Sequence, residues 1–96
     1  MKLTSDNETI ARDKVLILYI LDTVEKPVTN DALLELVLSI QDINYFYFQQ
    51  FLLDLLNTKY IISYKKEDTE FYEITKQGVD ALELTKDMIP GIIKLN

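Results

Sequence analysis

Apolar residues in this chain recur at helical spacing as far as Thr58, change to an alternating pattern in two short runs between Tyr60 and Thr75, and then return to helical spacing. This change of period constrains the fold most, because one short alternating stretch between helices builds a hairpin into an otherwise helical domain. In YIISYKK, Tyr60, Ile62 and Tyr64 share a face; in EFYEIT, Tyr72 and Ile74 share one, with Phe71 and Glu73 on the other. KEDT between them reads as a charged hairpin loop.

Three helical segments precede the hairpin. The first runs from Thr9 to Lys26, with Ile17, Leu18, Leu21 and Val24 at helical spacing, and Pro27 closes it. Its run VLILYIL is also compatible with a buried strand, but the length of the whole segment favours a helix. Thr29 is placed to cap a second helix lined by Leu33, Leu34, Val37 and Ile40, ending near Ser39. After a turn at residues 41–43, Asn44 caps a third, whose Phe48, Phe51, Leu52 and Leu55 keep to one buried stripe. Beyond the hairpin, Thr75 caps a fourth helix in which Gly78 and Ala81 leave room for another backbone.

The expected fold is therefore mainly α with a small β component (α+β): a winged helix-turn-helix with a three-helix core, a two-stranded β wing and a C-terminal helix. Ninety-six residues enclose one core, so a single domain is expected over residues 9–89. Residues 1–8 read as a flexible lead-in, and 90–96, after Pro90, as an apolar segment that is either cut short or forms a dimer.

Specific residues carry a resemblance. FLLDLLNTKYI resembles the end of a recognition helix entering a first wing strand. FYEITKQGVDALEL resembles the second strand and the T-x-x-G start of the next helix, with Thr75 and Gly78 in the two signature places. Similar pairs occur in bacterial regulators of the PadR and MarR type. KVLILYILDTVEKPVTNDALLELVL followed by INYFYFQQFLLDL resembles, more closely, a family of small bacterial proteins known as a domain of unknown function and described as predicted winged-helix transcriptional regulators. The likeness covers about residues 13–90, and NYFYFQQFL is its most specific part. It implies the winged-helix fold and, by analogy, DNA contact. One departure is Lys59, where such proteins commonly have glycine before the first wing strand; either Asn57 adopts the left-handed backbone or the turn differs.

Composition narrows the chemistry. Cysteine and histidine are both absent, which removes disulfides, thiol nucleophiles, the usual zinc ligands and imidazole bases. With no phosphate-binding glycine loop or nucleophile elbow either, no enzyme activity, metal or cofactor is expected. The longest apolar run, Val15 to Leu21, is far short of the ~20 residues that span a bilayer. Acidic residues occupy the place of a positive leader, so no membrane association and a cytoplasmic location are expected.

Charge divides the functional readings. The net charge is −6, and residues 27–58 hold Asp31, Glu35, Asp42 and Asp54 with no Lys or Arg. Contact of double-stranded DNA by the third helix and wing would rest on Gln49 and Gln50 at adenine edges. Lys59, Lys65, Lys66 and Lys76, joined by Arg12 and Lys14, would meet phosphates if they converge. A homodimer through the first helix and the C-terminal segment would present two half-sites. The alternative is a protein-docking module. Tyr45, Phe46, Tyr47 and Phe48 are consecutive, so at ~100° per residue they cannot all face one core. With Phe48 inward, Tyr45, Phe46, Tyr47 and Gln50 become the partner-binding candidates, with Phe46 and Leu53 on a flank.

Overall fold

VLILYIL lies in a helix, α1 (Leu3–Val24), and nearly all of it is buried. Val15, Leu16, Ile17, Leu18, Ile20 and Leu21 are core residues, so this helix is enclosed on most sides. A strand buried on both faces would show the same apolar run, which is why length had to decide. A computed structural model describes the backbone of residues 3–85 and the side chains of residues 12–85. Around α1 stand β1 (Val28–Thr29), α2 (Asn30–Leu38), α3 (Tyr45–Asn57), β2 (Ile61–Lys66), β3 (Thr69–Ile74) and α4 (Lys76–Leu84). The fold is α+β, with four helices and one antiparallel sheet in the order β1-β3-β2 among the described residues.

The expected caps form. Thr29 accepts from the Ala32 N–H at 3.1 Å, Asn44 from the N–H groups of Phe46 and Tyr47 at 2.8 and 3.3 Å, and Thr75 from that of Gly78 at 3.0 Å. Each satisfies a helix-start N–H that has no partner within the helix. Leu33 and Val37 of α2, Phe48, Phe51, Leu52 and Leu55 of α3, Ile61, Tyr72 and Leu82 complete the core against α1.

Three features depart from the sequence reading. α1 already begins at Leu3, six positions before Thr9, because its polar first turns carry no apolar period to mark them. β1 pairs Val28 with Tyr72 and Thr29 with Phe71, making the sheet three-stranded; two residues are too few to show alternation. The hairpin loop is only Glu67–Asp68, since Lys66 and Thr69 are still paired, and both loop residues have left-handed φ (53° and 67°), the signs of a type I′ turn. The expected end of the domain at residue 89 and the apolar segment 90–96, with its role in a dimer, lie outside the described residues.

At the end of α3 the open question about the turn resolves onto Lys59 itself, with φ 67°. Its N–H donates to the Leu56 carbonyl at 3.1 Å and that of Tyr60 to the Leu55 carbonyl at 3.0 Å, which is a Schellman closure with lysine in the glycine position. The strained turn is held from the far side. The Thr75 hydroxyl donates to the carbonyls of Lys59 and Tyr60, at 2.7 and 3.0 Å, so the start of α4 is tied to the entrance of β2.

Candidate recognition surface

Phe48 turns inward and is completely buried, and this sets the direction of everything else on α3. Tyr45, Phe46 and Tyr47, the three residues before it, are 61%, 72% and 59% exposed. The Tyr47 ring stacks on Phe51 at 6.4 Å and lies 6.4 Å from Phe46 at a tilt. Leu53, one residue outside the core stripe, is 53% exposed. Helical geometry puts Phe46, Gln50, Leu53 and Asn57 on one line, with Tyr47 and Asp54 beside it. Phe46 and Leu53, expected together on a flank, are thus both exposed, and Phe46 is the most exposed of the described aromatics.

Gln49 sits elsewhere. It is half-buried and forms a reciprocal amide pair with Asn30, donating at 2.8 Å and accepting at 3.0 Å. The pair joins the first residue of α2 to the middle of α3, and it engages the donor and the acceptor that an adenine edge would require. Gln50 is exposed, 3.4 Å from Asp54. Next to the amide pair, burial pushes the Tyr72 phenol above its ordinary pKa; a hydrogen bond with Asn30 opposes this, and the Glu70 carboxylate reinforces it. Asn30, Tyr72 and Glu70 were not anticipated, because polar residues joined across three elements leave no linear pattern.

The cations do not form one band. Lys65 and Lys66 stand at the hairpin tip, whereas Lys59 and Lys76 flank its base. The strand between them is about 17 Å long at ~3.4 Å per residue. Lys14 is ion-paired with Asp54 at 3.1 Å, and Lys76 lies 3.7 Å from Asp80. Lys65 and Lys66 face Glu70 and Thr69 across the ladder and are exposed. On the outer face of the sheet, Tyr64 stacks on Phe71 at 6.2 Å, and with Lys26, Pro27 and Lys66 they line an open hollow of about 230 Å³. That falls below the ~300–1,000 Å³ of most small-molecule sites. Among the described residues no group of three acidic, His or Cys side chains is close enough to hold a metal ion. No helix there is long and apolar enough to cross a membrane.

Fold and surface together define a small α+β domain that presents one helix face and one hairpin to solvent. The chain belongs to the DUF4364 family, a domain of unknown function, whose model matches residues 13–96. Two crystal structures share the fold. One is smu.1704 from Streptococcus mutans UA159, at 20% identity and TM-score 0.63, covering 77% of this chain and 76% of that one. The other is F-93 of SSV1, at 12% identity and TM-score 0.64, covering 84% and 91%. Nothing among the curated proteins matches the chain.

Proposed function

We propose that the domain is a winged helix of the bacterial transcription-regulator type whose third helix docks a protein partner in place of DNA. The observation that carries this is the exposure of Tyr45, Phe46 and Tyr47 together on a helix without Lys or Arg. Tyrosine and phenylalanine on a surface poor in charge are the residues that anchor protein interfaces. DNA affinity, in contrast, rests on phosphate contacts and hence on cations, which α2 and α3 lack entirely. In this reading the protein works in the cytoplasm as a homodimer, with no catalytic step and no cofactor.

A second reading, double-stranded DNA contact by α3 and the hairpin, is favoured by one observation: Lys59, Lys65 and Lys66 are exposed and form no ion pair among the described residues. Gln50 would then be the base-reading side chain, with Lys76 at the backbone. Fluorescence anisotropy with pooled duplexes at about 50 mM salt separates the two, since electrostatic binding is strongest there. The docking reading expects no binding. Duplex binding that disappears in Lys65→Ala/Lys66→Ala would overturn it in favour of DNA.

A further inference from the structure

We infer that the partner segment seated on α3 is cationic: an amphipathic stretch that packs an apolar side chain beside Phe46 and Leu53 and brings Arg or Lys over the neighbouring rings and carboxylates. This rests on the docking reading above and adds the chemistry of the occupant.

Two independent features of the face point the same way. The apolar line is real but interrupted: Phe46 and Leu53 are 72% and 53% exposed, with Gln50 between them and Tyr47 alongside. Such a line accepts a partner side chain between its anchors without forming a continuous greasy patch. The charge that α2, α3 and the turn between them bring to it is negative throughout, with Lys14 of α1 the cation that meets it. Asp42 is exposed just before the helix, and Asp31 and Glu35 are exposed on α2, whose first residue, Asn30, is paired with Gln49 of α3. Glu70 of β3 neighbours Tyr72, on which Tyr45 also acts. Lys14 reaches α3, and its charge is already spent on Asp54.

Phe46 and Tyr47 touch each other, and Tyr47 also stacks on Phe51, yet with Tyr45 all three rings stay more than half exposed and within reach of a guanidinium. A second copy of this chain is a poor occupant: a twofold contact through α3 would bring together two surfaces whose exposed Asp31, Glu35 and Asp42 find no Lys or Arg on α2 or α3 of either copy. Nucleic acid is repelled for the same reason. A cationic segment meets both the rings and the acids.

The test uses three helical peptides with one shared leucine face, flanked by Arg, Gln or Glu, titrated into the isotope-labelled chain and followed by backbone amide shifts. The Arg peptide is expected to move the amides of Phe46, Tyr47, Gln50 and Leu53. It should bind about tenfold or more tightly than the Gln peptide at about 50 mM salt, and lose most of that advantage at about 500 mM. Phe46→Ser/Leu53→Ser should weaken it about tenfold or more without changing thermal unfolding. Equal binding of the Gln or Glu peptide at the same amides would overturn the cationic partner and leave docking on α3 intact. Shifts confined to other surfaces, or no binding by any peptide, would overturn both. So would a chain dimer that Phe46→Ser/Leu53→Ser abolishes, since the occupant would then be a second copy.

Discussion

Gly78 and Tyr60 are packed backbone to backbone: a methyl group placed on Gly78 would stand 2.1 Å from the Tyr60 carbonyl oxygen and 2.7 Å from Ile74. The same carbonyl accepts from the Thr75 N–H and hydroxyl, both at 3.0 Å, so it has no freedom to retreat. Glycine is here for closeness, since its φ is not positive. Gly78→Ala should therefore lower stability by roughly 1–3 kcal/mol despite the ~1 kcal/mol gain in helix propensity. Urea unfolding would show it, and an unchanged midpoint would mean that α4 can shift outward freely.

Lys59→Gly should act in the opposite direction. Lys59 holds a left-handed backbone that costs a residue with a β-carbon about 1–2 kcal/mol, while its side chain is exposed. Part of that gain is offset by the greater freedom of glycine in the unfolded chain, leaving about 0.5–1 kcal/mol. Thermal unfolding should rise by a few degrees, at ~4–8 °C per kcal/mol for a domain of this size.

Phe46 and Phe48 should separate cleanly. Phe48→Ala opens a cavity in the core and should lower stability by about 3–5 kcal/mol, enough to unfold a marginal domain. Phe46→Ser should change it by less than about 0.5 kcal/mol while reducing partner binding. A large loss of stability in Phe46→Ser would show that the ring is covered in the folded protein and unavailable for docking.

The amide pair between α2 and α3 should behave as a coupled unit. Asn30→Ala and Gln49→Ala each leave a half-buried amide without its partner, at about 1–2 kcal/mol apiece. The double variant should cost clearly less than the two added together. Strict additivity would mean that the pair is not formed in solution.

Asp13 sets a pH dependence. It is 8% exposed, and burial pushes its carboxyl above the ordinary 3.8, with the Arg12 guanidinium opposing. A raised carboxylate pKa means that the folded state keeps a proton the unfolded state has released. Stability from this group is thus fullest below 3.8 and falls as pH rises through the higher folded value. Asp13→Asn should flatten that fall and raise the unfolding temperature at neutral pH. A steeper decline in the variant would contradict the assignment.

Much of the architecture was legible because it is written locally. The caps at Thr29, Asn44 and Thr75 act within three residues, and the inward stripe of α3 follows from 3.6-residue spacing alone. That more aromatics follow Asn44 than one face can bury was likewise a matter of angular steps. Four positions could be counted, and only which of them lost was undecided.

The rest needed the folded chain. β1 exists because β3 offers a free edge to Val28 and Thr29, not because two residues announce a strand. Gln49 looked like a base-reading side chain until the packing of α2 placed Asn30 within 3.0 Å of it. The lysines looked capable of converging until the hairpin separated Lys65 and Lys66 from Lys59 and Lys76 by its own length. By itself the sequence determined the helices, their caps, the hairpin and the lack of positive charge on α2 and α3, since period, capping chemistry and charge are short-range properties. Only the tertiary structure decided which polar groups are spent on one another and which aromatics are left in water, because those depend on residues far apart in the chain competing for the same space.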